Sequence, residues 1–406
     1  MKVTCAYRFA LDLNDRQGTL AAQHAGLARK AWNWALADRN EHYQDVVLPA
    51  RERGEKVRSL SCYDQQKAWV AQKPDWAYSL SAWAAVSAIE DVDRAFQRFW
   101  KARKEGRRVG FPRFKARGKC RESFRLRGSI KVERHRVKLP VLGWLRIKGS
   151  AARFHADKLL YATISREAGR WFVSITVEQE RPEALAPAGE PVGLDLGLLH
   201  FLTLSDGTVI DAPKPLKTAL RKLRRQQKAV ARSQRNSSSR RKKVAQVART
   251  HARVKAIRQD FLHRTSHKIA TAHVAVGVED LATRNLMRNR RLARAISDMG
   301  WGEFLRQLAY KTSWSGATLV VADRFFPSTK TCSDCGAVVD LPLSARTYAC
   351  AACGLVLDRD LNAARNLRPV AVTPTDTNAS GGIVSPGPAW QIPVKLEPST
   401  PGRLAA

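Results

Sequence analysis

Four cysteines place the tightest constraint on how this chain can fold. Cys332-Ser333-Asp334-Cys335 and Cys350-Ala351-Ala352-Cys353 are two Cys-x-x-Cys knuckles separated by fourteen residues, each followed by a glycine. Four thiolates so spaced can close a tetrahedral zinc site with no open position, which makes the ion structural and brings the two knuckles together. A redox pair would need only one such motif. Cys5, Cys62 and Cys120 are scattered, as reduced packing residues are.

Directly after the second knuckle, Leu357-Asp358-Arg359-Asp360-Leu361-Asn362-Ala363-Ala364-Arg365-Asn366-Leu367 is rich in Ala and Leu and reads as a helix. Asp358 suits its N-cap. Asp360, one turn before Ala364, would project from the helix. Two apolar runs elsewhere also end in acid. Pro191 to His200 carries Asp195 in a glycine-flanked strand, and His200 to Leu204, the turn Ser205-Asp206-Gly207 and Thr208 to Ile210 continue it as a meander. Val274 to Leu281 is a second buried-strand run, ending in Glu279 and Asp280. In isolation Asp195 would read as a surface turn residue. An acid at the end of the first strand of such a meander is, however, where an RNase H-like fold keeps its first metal-binding carboxylate.

Three carboxylates drawn together resist ionising unless divalent cations neutralise them. Two Mg²⁺ (or Mn²⁺) ions about 4 Å apart would do so, one activating water and the other stabilising the leaving oxygen of a phosphodiester. Asp195, Glu279 and Asp360 are therefore the candidate catalytic and metal-binding residues. Asp280 and Asp358 compete for the same roles.

Charge points to the partner. Lys and Arg number 71 against 36 acids, a net charge of +35 in 406 residues. Such a surplus implies a polyanion, because neutralising phosphates relieves self-repulsion and releases counterions. A membrane surface fits less well, and the chain contains no apolar run long enough to span a bilayer or to serve as a signal-peptide core, so a cytoplasmic location is expected. Lys214 to Lys268 holds nineteen Lys and Arg and one acid, Asp260. Its apolar spacing predicts two long helices joined at Arg235 to Arg240. The missing opposite-sign charges disfavour a coiled-coil arm. Arg221, Arg224, Arg225, Arg240, Arg241, Lys242 and Lys243 are its candidate nucleic-acid contacts. A second basic stretch interleaves Arg107, Arg108, Arg113, Lys115 and Arg117 with Phe111 and Phe114, as suits a loop or groove along a nucleic-acid backbone.

Between these landmarks, Val3, Cys5, Tyr7 and Phe9 predict an opening strand. Asn14 with Gln17 predicts a capped helix, and further helices are expected over Tyr63 to Gln72, Ser79 to Lys104 and Ser297 to Trp314. On the second of these three, Trp83, Val86, Ile89, Phe96 and Trp100 form one stripe, read as core. Short strands from Ser123 to Glu178 predict a small barrel, with the opening strand as a candidate to complete it. Arg368 to Ala406 holds seven of the eighteen prolines and reads as a disordered tail.

Gly193-Leu194-Asp195-Leu196-Gly197, Val278-Glu279-Asp280-Leu281, Phe326 to Gly336 and Asp358 to Asn366 resemble the signature segments of the TnpB (OrfB) proteins of insertion sequences, relatives of the type V CRISPR effectors. Gly110-Phe111-Pro112-Arg113-Phe114-Lys115 extends the resemblance to the N-terminal half. Thr329 stands where serine is common. The resemblance implies α/β and separate α and β parts. These would be residues 1–13 as first strand of a wedge β-barrel, 14–118 as a helical recognition domain, and 119–182 as the rest of the barrel. A RuvC nuclease domain would occupy 183–325 with its basic hairpin at 214–268, a zinc ribbon 326–356 and the last RuvC helix 357–368, leaving 369–406 as the tail. It also implies a guide RNA, a double-stranded DNA target and cleavage beside a short flanking motif. An RNA-guided DNA-binding regulator without cleavage, and an RNA-independent RNase H-like transposase or resolvase, are the alternatives. Three intact acids argue against the first, and the barrel and helical region ahead of Asp195 exceed what the second needs.

Overall fold

Alternating burial along the opening residues, with Val3 and Cys5 inward, builds strand β1 (Lys2–Asp12) as period-2 patterning requires. The structure, a computed structural model, describes residues 2–372 except 153, 155, 157, 182, 183, 343 and 344. The tail expected from residue 369 lies, past Val372, outside the described residues. The chain divides after Glu180 into two compact units.

In the first unit Asn14 and Gln17 form a complete capping box for α1 (Asp15–His42). Short α2 (Leu48–Glu52), α3 (Cys62–Gln72) and the long α4 (Ala82–Lys104) follow. The buried face of α4 differs from the expected aromatic stripe. It consists of Ala84, Ala85, Ala88, Ile89 and Val92, while Trp83 and Trp100 are exposed. The reason is close approach: α1 presents Ala21, Ala25, Ala28, Ala31 and Ala35 to the interior and packs against α4, leaving no room for indoles between them.

Strands β2 (Ser123–Leu126), β3 (Lys131–Glu133), β4 (Arg136–Leu139), β5 (Gly143–Lys148), β6 (Lys158–Glu167) and β7 (Arg170–Glu180) join β1 in one seven-stranded sheet. Its order is β2-β6-β7-β1-β5-β4-β3, with antiparallel pairing throughout. β1 does complete the sheet, from Lys2 opposite Glu180 to Asp12 opposite Arg146. β2 and β3 stand at its two ends, and among the described residues no pairing between them closes the expected barrel.

The second unit carries β8 (Val192–Asp195), β9 (Leu202–Leu204) and β10 (Val209–Ile210), then α5 (Pro215–Ala231) and α6 (Ser238–Ala272). After these come β11 (Ala275–Glu279), α7 (Thr283–Leu286), α8 (Ala293–Met299), α9 (Trp301–Ser315) and β12 (Thr318–Ala322). The sheet order is β10-β9-β8-β11-β12, antiparallel up to β8 and parallel from β8 through β12. The expected meander of β8, β9 and β10 is thus formed, and β8, β11 and β12 continue it as three parallel strands. β8 and β11 are buried along nearly their whole length, as strands covered on both faces are. The single helix expected over Ser297 to Trp314 is broken at Gly300. That glycine takes φ 74°, ends α8 and lets α9 start in a new direction.

The small pair β13 (Thr347–Ala349) and β14 (Val356–Asp358) precedes α10 (Arg359–Val372). α10 packs on β8 and β11. Gly193 makes that possible: a Cβ there would lie 2.0 Å from the Ala364 carbonyl oxygen and 2.6 Å from the Arg368 nitrogen.

Candidate functional site

The parallel register sets Val278 opposite Leu194, so Asp195 and Glu279 follow side by side where β8 and β11 end. α10, lying across those strands, brings Asp360 to them in its first turn. A Cβ placed on Gly197, two residues past Asp195, would come 3.9 Å from Asp360 Oδ2. Asp195 is buried, and burial, then the charges of Glu279 and Asp360, push its carboxyl up to about 8. Two strand ends and one helix start thus bring together the three acids singled out in the sequence.

The competing acids are committed elsewhere. Asp358 accepts hydrogen bonds from the backbone nitrogens of Asp360 (2.8 Å) and Leu361 (3.2 Å), as an N-capping side chain does. Asp280 is paired with the guanidinium of Arg324. Glu279, its neighbour, accepts instead from the neutral hydroxyl of Ser328. Asp360 is met by two cations, Arg346 at 3.4 Å and Arg359 at 3.6 Å, and the charge of Arg359 also acts on Asp195. Sequence reasoning passed over Ser328 and Arg346. Arg346 lies between the knuckles, and nothing in its local pattern ties it to Asp360.

The knuckles pair as their spacing demands. Cys332 and Cys353 sulfurs are 3.6 Å apart, as are those of Cys335 and Cys350, and all four lie within 4.8 Å of one another. A tetrahedral ion with Zn–S bonds near 2.3 Å needs sulfurs roughly 3.8 Å apart, so the donor set fits zinc. Gly336 and Gly354 take φ 76° and 77°, and each donates its nitrogen back to the knuckle's first cysteine. Backbone donors from Cys335 lower the Cys332 thiol to about 6, while burial and the neighbouring thiols push Cys353 up to about 12, so the packed sulfurs do not ionise alike. Buried Tyr348 fills the centre of this small core beside Cys332 and Cys350. Among the described residues, these thiols alone form a group of three or more potential ligands close enough to share one ion.

The basic stretches are sorted by the structure. Phe111 packs edge-on against Phe96 and Phe99, and the Lys115 ammonium sits 3.5 Å from the centre of the Trp32 ring, where burial lowers its pKa. Asn33 holds the Lys115 backbone through both its nitrogen and its carbonyl. Arg107, Arg108, Arg113, Phe114 and Arg117 remain exposed. In the helical hairpin Arg240 donates to the carbonyls of Val230 and Ser233, and Lys243 to the Ser233 hydroxyl, so both close the turn. Arg221, Arg224, Arg225, Arg241 and Lys242 are exposed. Asp298 anchors the hairpin. Its buried carboxylate accepts from the Leu216 and Lys217 nitrogens at the start of α5 and from Arg258 of α6.

Over 370 residues the chain is 34% identical to a protein of Streptomyces pristinaespiralis named "Putative RNA-guided DNA endonuclease", a match covering 90% of this chain and 89% of that one. The chain belongs to the OrfB (TnpB) family. The OrfB family model, described as "Probable transposase", matches residues 174–290, which include Asp195, the basic hairpin and Glu279. A model described as "Cas12f1-like, TNB domain" matches residues 301–367 and takes in the knuckles and Asp360. A third, described as "Helix-turn-helix domain", matches residues 1–45, where this TnpB-family chain has one strand and one long helix. "Putative RNA-guided DNA endonuclease InsQ" of Escherichia coli (strain K12) is 30% identical over 390 residues, covering 90% of this chain and 92% of its own. Among solved structures, the "Cryo-EM structure of the Cas12f1-sgRNA-target DNA complex" shares the fold with a TM-score of 0.55, at 11% identity, over 90% of this chain and 99% of that one. Among the described residues, no helix is long and apolar enough to cross a membrane.

Proposed function

We propose that this TnpB-family chain is an RNA-guided DNA endonuclease of a transposable element. Asp195, Glu279 and Asp360 form its RuvC site, and zinc held by Cys332, Cys335, Cys350 and Cys353 braces the ribbon beside it. Base pairing with a guide RNA selects the double-stranded DNA target next to a short flanking motif, and the protein holds backbone and duplex shape through its basic surface. The observation that carries the reading is the convergence of Asp195, Glu279 and Asp360 in a buried setting that keeps Asp195 from ionising near neutral pH.

When bound among the three carboxylates, two Mg²⁺ (or Mn²⁺) ions would supply charge neutralisation, an activated water and stabilisation of the leaving oxygen. Asp195 would hold such an ion as a carboxylate, after losing its proton to solvent. Glu279 presents an oriented carboxylate from the end of β11, its Oε1 engaged by Ser328. Asp360, on the first turn of α10, completes the set, and Arg346 places a guanidinium beside it where a scissile phosphate would carry its charge. The exposed Arg221, Arg224, Arg225, Arg241 and Lys242 of the hairpin, and Arg107, Arg108, Arg113, Phe114 and Arg117 of the first unit, contact nucleic-acid backbone and bases.

The test is cleavage by the purified ribonucleoprotein. Asp195→Ala and Glu279→Ala should abolish cutting and leave RNA binding nearly unchanged. If both variants still cut, the site lies elsewhere. Sequencing the nucleic acid that copurifies should yield a discrete RNA, and its absence would favour an RNA-independent transposase or resolvase.

A further inference from the structure

We infer that Ser328 is a positioning residue for Glu279, locked in place because Asn362 and Asn366 tie the first zinc knuckle to the helix that carries Asp360. This rests on the two-metal reading of Asp195, Glu279 and Asp360.

The two adjacent acids at the end of β11 are treated differently. Asp280 is neutralised by Arg324, whereas the partner of Glu279 is a hydroxyl. A guanidinium would compete with a divalent cation for the carboxylate. A neutral donor leaves the negative charge intact, fixes the plane of the carboxyl group through Oε1 and leaves Oε2 to face a ligand. Ser328 itself is almost completely buried, so its hydroxyl cannot trade Glu279 for water.

The segment bearing Ser328 runs from β12 into the first knuckle and is clipped to α10. Asn366 donates to the Ser328 carbonyl at 2.7 Å and to the Thr331 carbonyl at 2.6 Å. Asn362 donates to the same Thr331 carbonyl at 2.7 Å, and its own Oδ1 accepts from the Ser333 nitrogen, inside the Cys332–Cys335 knuckle, at 2.9 Å. Asn362 and Asn366 are four residues apart, so they share the face of α10 turned toward the ribbon. Both are buried. Buried amides are costly unless their hydrogen bonds are made, and here they are made to one short segment. The carboxylates from β11 and α10 are thereby registered to each other through the knuckle, in addition to the packing of α10 on the sheet.

The experiment uses the full-length ribonucleoprotein. Ser328→Ala should raise the Mg²⁺ concentration for half-maximal cleavage roughly tenfold, and weaken Mn²⁺ binding followed by electron paramagnetic resonance to the same extent. RNA and zinc content should stay at the level of the parent. Ser328→Cys, close in volume but a weak donor, should show the same shift and covers the case in which the alanine variant fails to fold. A merely structural role would lower the yield of zinc-loaded protein and leave the metal dependence alone, which would overturn the inference. Asp195→Ala measured alongside separates the two levels. If it loses Mn²⁺ binding while both Ser328 variants keep parental metal dependence, only the positioning role falls. If it still binds Mn²⁺ and cuts DNA, the two-metal reading falls with it.

Discussion

Binding of Mg²⁺ at neutral pH should expel nearly one proton from this protein, and Asp195 is its source. Burial and the charges of Glu279 and Asp360 raise that carboxyl from 3.8 to about 8. A group with that pKa is roughly nine-tenths protonated at pH 7, and a cation coordinates only the ionised form, so uptake of metal costs about 1.4 kcal/mol in displaced proton. Affinity should therefore climb by close to tenfold per pH unit between about pH 6 and 7.5 and flatten above about 8. The same shift has an opposite consequence without metal. The folded-state pKa lies above the unfolded value, so the unfolded chain binds fewer protons between about pH 4 and 8, and the metal-free protein loses stability as pH rises through that window. Asp195→Asn removes both effects. Calorimetric titration with Mg²⁺ in two buffers of different ionisation enthalpy reads the proton count directly. Release of fewer than about 0.3 protons at pH 7, with affinity flat from about pH 6 to 8, would refute the electrostatic reading of the site.

Three further perturbations test the scaffold. Gly193→Ala drives a methyl into the backbone of α10, 2.0 Å from the Ala364 oxygen, and should cost about 3 kcal/mol or more by urea denaturation. Asp298→Ala leaves Arg258 and the first nitrogens of α5 without their buried acceptor, so it should destabilise by about 3 kcal/mol with unchanged zinc content. Cys350→Ser removes a buried thiol from the knuckle pair. Elemental analysis should show zinc lost, and limited proteolysis should then cut within residues 326–356, because among the described residues the hydrophobic cluster there has only Tyr348, Cys332 and Cys350 buried.

Much of this site was legible because its signals are local. Asp195 alone, and Glu279 with its neighbour Asp280, stood out as acids ending apolar runs, and an apolar run of strand length predicts a buried strand wherever it pairs. Asn14, Gln17 and Asp358 were readable as caps, since a cap bonds only to its own first turn. The break at Gly300 had a local signal too, a glycine at which one helix can end and the next begin. Phe111 and Lys115 could not be placed from their neighbours. Both look like nucleic-acid contacts in a basic loop, and only the fold shows that Phe111, though exposed, also packs edge-on against Phe99 and that the Lys115 ammonium lies over the Trp32 ring.

By itself the sequence marked the opening strand, the capped helices, the four-thiol spacing and the acids that end apolar runs, because periodicity, capping and ligand spacing act over a few residues at a time. Only the tertiary structure decided that Asp195 holds its proton to about 8, that Ser328 rather than an arginine meets Glu279, and that Gly193 is needed for α10 to reach the sheet. Those properties arise from desolvation and from contacts between residues far apart in the chain. Such terms do not exist until the fold has brought the partners together and excluded water from between them.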